Sequence, residues 1–138
     1  MEDTIFMKII RREIPAEIVY EDADTLAFLD VKPTAPGHTL VVPKKLVRNI
    51  FDADDETIAA VMRTIRKIAP AVRDAVGAYG VHINSNHGEA AGQIVPHLHF
   101  HIIPRRDRNG FSFWPQSEYP VGAAASIAEK IRAKLSEN

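Results

Sequence analysis

The sequence predicts an α+β domain with a five-stranded antiparallel sheet, one long central helix, a short N-terminal helix and a C-terminal helix. Three observations lead there: short β-favouring runs bounded by turn residues, one long stretch of helical period in mid-chain, and an alternating segment that carries three histidines. A chain of 138 residues is sized for one domain, and 46% hydrophobic with 25% charged residues is ordinary for a globular protein.

Residues 4 to 12 place Ile5, Phe6, Ile9 and Ile10 at helical spacings behind Asp3 or Thr4 as N-cap, and Pro15 forbids extension. Ile18 to Tyr20 and Leu26 to Leu29 flank an acidic turn and predict a hairpin. Residues 32 to 37, Lys-Pro-Thr-Ala-Pro-Gly, predict a loop, followed by a strand from His38 to Val42 that Pro43 closes. From 52 to 77 a helix is expected, with Ile58, Met62, Ile65, Ala69, Val72 and Val76 as its stripe and Gly77 as its stop. Pro70 inside it predicts a kink or a break. A strand from Val81 to Asn84, a small-residue loop to Gly92, and a strand from His97 to Ile103 ended by Pro104 follow. The last helix is expected at about 123 to 135, with Ile127, Ile131 and Leu135 on one stripe.

Charge excludes some partners. With 17 basic against 18 acidic side chains and a net charge of −1, no global field holds the chain on nucleic acid or an anionic membrane. The absence of cysteine excludes disulfides, thiolate zinc sites and thiol nucleophiles, and it fits a reducing cytoplasm. The acidic opening is expected not to serve as a secretory leader, and no stretch reaches the roughly 20 apolar residues of a membrane helix.

The segment His97-Leu98-His99-Phe100-His101-Ile102-Ile103 gathers three of the six histidines. On a strand the three imidazoles project from one face, and Leu98, Phe100 and Ile102 from the other. Three readings stand: a polar sheet face, a metal site, or phosphoryl chemistry. Strand geometry spreads the outer two Cα atoms roughly 13 Å apart, too far for one ion to take all three rings, although a pair with His38, His82 or His87 could hold one. Neutral imidazole suits phosphoryl transfer, since one ring can attack while others donate hydrogen bonds to phosphate oxygens.

The His-φ-His-φ-His-φ-φ run, with Gly92-Gln93, Asp30, the stretch from Pro36 to Lys44 and the opening from Asp3 to Ala16, resembles the histidine-triad superfamily, in its nucleoside phosphoramidase-like branch of nucleotide-binding proteins. The resemblance covers about residues 3 to 106, with 111 to 138 as a tail and helix beyond the shared core of a single domain. It implies a hydrolase or transferase attacking the α-phosphate of purine nucleotide conjugates, either phosphoramidates or adenylated small molecules. Alternatives are a dinucleoside polyphosphate hydrolase and a nucleotide- or partner-binding module with little catalysis.

By resemblance, His99 is the nucleophile that forms a nucleotidyl-histidine intermediate. His101 contacts the phosphate and helps the leaving group, His97 orients the triad, and His38 is a fourth histidine beside it. Asp30 receives the ribose hydroxyls, Asn86 and Gln93 lie near ribose and phosphates, and Ile5, Phe6, Ile9, Phe28 and Val31 form the slot for the base. The apolar residues also fit a plain core, and Asp30 and Asn86 fit plain turn positions. His82 and His87 have no counterpart in the resemblance and are read as structural or exposed. No cofactor is expected. Zinc is not expected either, because Thr4, Met7 and Leu46 stand where many bacterial relatives carry ligands beside the first triad histidine. Ile94 replaces a serine that assists the leaving group. Phe111, Phe113, Trp114 and Pro115 resemble the tail that reaches the partner subunit, and the resemblance implies a homodimer joined through the long helix and a sheet edge.

Overall fold

Short strands with apolar alternation need cover on each apolar face, and the computed structural model, which describes residues 3–108 and 114–137, supplies it with one helix per face. The elements are α1 (Ile5–Ile10), β1 (Ile18–Glu21), β2 (Thr25–Leu29), β3 (Thr39–Pro43), α2 (Asp55–Ala75), β4 (Gly80–Asn84), β5 (Phe100–Arg105) and α3 (Ala123–Leu135). The sheet is five-stranded in the order β1-β2-β3-β5-β4, with every neighbouring pair antiparallel. Phe6, Ile9, Leu26, Phe28, Leu40 and Val42 form the core on the α1 face. Ala27, Val41, Val61, Ile65, Ile68 and Ile102 form it on the α2 face.

Each turn has a local cause. The Asp22 carboxylate accepts from the Asp24 and Thr25 amides at 2.8 Å each and closes the β1–β2 hairpin. Thr4 caps α1 by accepting from the Met7 amide at 3.1 Å, and Arg12 at φ 63° ends that helical stretch before Pro15 is reached. Asp54 caps α2 through the Thr57 amide at 2.8 Å, and Gly77 at φ 67° receives the chain at its end.

Three expectations are corrected. The helix does not break at Pro70, because Pro70 and Arg66 both lie on the exposed side of α2, where water can replace the amide that proline lacks. Its buried stripe is Thr57, Ala60, Val61, Thr64, Ile65 and Ile68, so Ile58, Met62 and Ala69 fall on its flanks and Val76 lies past its end as the C-cap. The last strand begins at Phe100 rather than His97 and runs through Pro104. Pro104 is tolerated because β3 pairs with β5 only as far as Thr39↔Ile102, so its missing N–H costs no ladder bond on that side.

The chain divides into two compact units, Met1–Arg108 and Asn109–Asn138. In the second, α3 matches its expected span but buries none of its residues, and Ile127, Ile131 and Leu135 are all exposed. Phe111 and Phe113 lie outside the described residues, whereas Trp114 is exposed. Among the described residues no helix is long and apolar enough to cross a membrane.

Candidate active site

The strand alternation brings the histidines to the α1 face. Leu40 pairs with His101, so the His101 ring rises on the face that carries Leu40 and Phe28. The ladder stops at Phe100, which faces Val41 of β3, and β4 has already ended at Asn84 opposite His101. His97 to His99 therefore lie outside the sheet, with the Leu98 amide donating to the Val47 carbonyl at 2.8 Å. The predicted row of rings survives this change. Phe6 lies edge-on to His97 and His99 with centroids at 6.0 and 5.0 Å, His99 stands 5.2 Å from His101, and His101 stands 5.1 Å from His38.

Hydrogen-bond partners settle where each ring carries its hydrogen. The His97 Nε2 donates to the Pro43 carbonyl at 2.9 Å, leaving its Nδ1 to accept from the Thr4 hydroxyl at 3.3 Å. The His99 Nδ1 donates to the His97 carbonyl at 2.7 Å, so the lone pair of His99 is on Nε2. The Thr34 amide donates to His38 Nδ1 at 3.0 Å, which puts the His38 hydrogen on Nε2, 2.9 Å from His101 Nδ1. His101 accepts there and carries its own hydrogen on Nε2. A nucleophilic nitrogen on His99 and a donor nitrogen on His101 thus arise side by side from fixed backbone partners.

Burial lowers the proton affinity of the whole row. It holds His97, His99 and His38 below the ordinary imidazole value, outweighing the carbonyls that accept from His97 and His99 and the Asp30 carboxylate near His38. His101 is pushed down to about 4 by burial first, then by His99 and His38, against the pull of Asp30. The imidazoles are neutral at neutral pH, as a nucleophile requires.

The other expected residues divide. Asp30 stands beside the pair, with one carboxylate oxygen 3.7 Å from His38 Nε2 and the other accepting from the Lys32 amide at 2.9 Å. Phe6, Ile9 and Phe28 are buried core, with Phe6 and Phe28 at 5.6 Å edge to face, whereas Ile5 is half-exposed and Val31 is 84% exposed. Asn86 donates to the Ala91 carbonyl at 2.7 Å and braces its own loop. Gln93 is saturated: its oxygen accepts from Asn49 and the Gly88 amide, and its nitrogen donates to the carbonyls of Arg48 and Val95. That amide ties loop 86–96 to the loop after β3 and has no capacity left for a phosphate. His87 accepts from the Ile50 amide at 3.0 Å, which also makes it a loop tie. His82 sits on β4 opposite Ile103.

Among the described residues, Asp30, His38 and His101 bring three ligand-type atoms within 4.8 Å of one another. The hydrogen-bond pattern does not suit an ion there, since Thr34 occupies one His38 nitrogen and the other carries the hydrogen. The positions that the resemblance links to zinc are also occupied differently, because Thr4 meets His97 directly. Sequence reasoning missed three contributors: the Thr34 amide, the Thr4 hydroxyl as a partner of His97, and Ser85, whose hydroxyl donates to the His99 carbonyl at 2.6 Å. Thr4 was legible as a cap, but nothing local marks a backbone amide or a contact across the fold.

Comparison with known proteins gives concordant matches. The HIT domain family model matches residues 11–108. Protein hit of Bacillus subtilis (strain 168) is 46% identical over 141 residues, spanning 99% of this chain and 97% of its own. An adenosine 5'-monophosphoramidase of Schizosaccharomyces pombe is 35% identical over 135 residues, spanning 95% of this chain and 97% of its own. The crystal structure of a HIT family member from Bacillus subtilis superposes with a TM-score of 0.87 at 39% identity, covering 96% of each chain.

Proposed function

The chain belongs to the HIT domain family, and from that premise we propose that it is a nucleotide hydrolase that attacks the α-phosphate of purine nucleotide conjugates through His99. The observation that carries this reading is the His99 Nδ1 bond to the His97 carbonyl, which leaves the Nε2 lone pair as the free nucleophilic position. In the first step Nε2 bonds to phosphorus while the bond from phosphorus to the leaving group breaks, giving a nucleotidyl-histidine. In the second, water attacks phosphorus, the N–P bond breaks back onto Nε2, and a nucleoside monophosphate departs. His101 donates its Nε2–H to a phosphoryl oxygen throughout, and Asp30 accepts from the ribose hydroxyls.

Fixed rings suit this reaction because phosphoryl transfer asks for positioning and charge stabilisation more than for covalent help. Phe6, Ile9 and Phe28 supply a buried apolar wall behind the triad, on which the slot for the base is built together with Ile5 and Val31. A homodimer is part of the same reading. It is supported by β4, a sheet edge with Ile83 exposed on it and Tyr79 exposed just before it, and by Met62 exposed on α2. A cytoplasmic setting is supported by the lack of cysteine.

The test is to trap the intermediate. Rapid quenching of protein mixed with a labelled nucleoside phosphoramidate yields an adduct on His99, and His99→Asn yields none while binding a nucleoside monophosphate within about threefold of wild type. Undiminished turnover in that variant rejects the mechanism.

A further inference from the structure

The strand that leads to the nucleophile loses its partners one at a time. β5 pairs with β4 as far as His101↔Asn84, and with β3 one residue further, to Phe100↔Val41. The next rung on the β4 side would set Phe100 opposite Ser85, and it is not formed. In its place the Ser85 side chain reaches across, and its hydroxyl donates to the His99 carbonyl at 2.6 Å. A side chain thus takes over where the backbone ladder ends. On the β3 side the Leu98 amide donates to the Val47 carbonyl at 2.8 Å, so the span around His99 is held between the loop after β3 and the loop after β4. Those loops are fastened to each other by Gln93, which bonds to the Arg48 carbonyl and the Asn49 side chain, and by the Ile50 amide on His87. Leu98, Val47, Ile50, His87, Ser85 and His99 therefore close a circuit of hydrogen bonds and chain around the nucleophile.

We propose that Ser85 is a positioning residue for the nucleophile, its hydroxyl holding the His99 peptide where the sheet no longer does and so fixing the depth at which Nε2 meets phosphorus. This rests on the nucleotidyl-histidine reading above, and in it Ser85 acts through the peptide and not on the reacting atoms. The bond from His99 Nδ1 to the His97 carbonyl sets the rotation of the ring, whereas the place of the His99 Cα is set by the peptides on either side of it. Phe100 is pinned against Val41, so a turn of the freed peptide about the bond between the His99 Cα and its carbonyl carbon is taken up by His99 and carries the ring with it. A reacting atom misplaced by about 1 Å costs on the order of a hundredfold in rate, and a fraction of that displacement costs about tenfold. Nucleotide affinity is spared, because the groups that hold sugar and base stand on other elements. Threonine keeps the hydroxyl, alanine removes it, and cysteine offers only a weak donor.

The test is the single-turnover rate of nucleotidyl-His99 formation from a labelled nucleoside phosphoramidate, read beside the affinity for adenosine monophosphate, in wild type and three Ser85 variants. Ser85→Ala is expected to slow adduct formation by at least about fivefold and to leave the affinity within about twofold. Ser85→Thr is expected within about threefold of the wild-type rate, with Ser85→Cys between the two. A merely structural part for Ser85 would lower stability without this split between rate and affinity. A smaller slowing in Ser85→Ala, an affinity loss that matches the rate loss, or a Ser85→Thr as slow as Ser85→Ala overturns the proposal. If Ser85→Ala does not fold, Ser85→Cys decides: a slower rate at unchanged affinity supports the assignment, and a wild-type rate overturns it. Absence of any adduct in the wild-type protein rejects the preceding reading, whereas an adduct that forms as fast without the hydroxyl rejects this one alone.

Discussion

The Thr4 hydroxyl lies 3.3 Å from Nδ1 of His97, a residue 93 positions away in the chain. The same oxygen accepts from the Met7 amide and caps α1. One side chain therefore starts a helix and fixes the ring of the residue whose backbone carbonyl orients the nucleophile.

Replacing Thr4 by Ala removes the cap and leaves His97 Nδ1 buried without a partner. The expected loss is about 2 to 4 kcal/mol of unfolding free energy, against about 0.5 kcal/mol or less for Thr4→Ser. Urea denaturation reads both values, and a Thr4→Ala loss below about 0.5 kcal/mol would show that the shared hydroxyl carries little.

Gly37 precedes His38 at φ 91°, and a Cβ there would sit 3.0 Å from Val76 Cγ1 and 3.2 Å from Pro104 Cγ. Gly37→Ala combines a strained backbone with a clash against two packed side chains. We expect a cost of about 2 to 4 kcal/mol and a fall in kcat larger than the change in KM, because His38 moves with its neighbour. Wild-type stability and kinetics in this variant would contradict the packing described.

Acidification acts through the imidazole row. The folded-state pKa of His38, His97, His99 and His101 lies below the unfolded value near 6.5, with His101 at about 4. Between those limits the unfolded chain binds more protons, so the stabilisation is complete above about pH 6.5 and is lost as pH falls toward 4. The Tm is expected to drop between about pH 7 and 5, and His101→Asn to make that drop shallower. A Tm that holds steady over the interval, or a His101→Asn profile parallel to wild type, would refute the assignment.

Pro70 sits in the interior of α2 on its exposed side. Pro70→Ala restores an amide donor for the Arg66 carbonyl without disturbing the buried stripe, and an increase of about 1 to 3 kcal/mol in unfolding free energy is expected. Thermal unfolding measures it; a destabilised variant would mean that the ring has a packing role.

The sheet and its helices were legible because each element announces itself locally: an Asx turn at Asp22, caps at Thr4 and Asp54, a glycine after α2. Errors arose where position in the assembly decides. Pro104 reads as a strand terminator until β3 is seen to stop short of it, and α2 carries apolar residues on more than one face, so period alone could not choose between Val61 and Met62 as core. At the site, the row of histidines was legible from alternation, but not the backbone groups that set each tautomer. Gln93 shows the limit most clearly. Its four hydrogen bonds join two loops, and no local signal in the sequence reveals them.

His99 is carried by a peptide outside the ladder, held by the Leu98 amide on Val47, by the Ser85 hydroxyl on its own carbonyl and by the first ladder pair at Phe100. When a covalent bond to phosphorus forms, the attacking atom must close the gap from van der Waals contact to bond length. Here that recoil can be absorbed by one short span of chain, and no rung of the sheet has to give way.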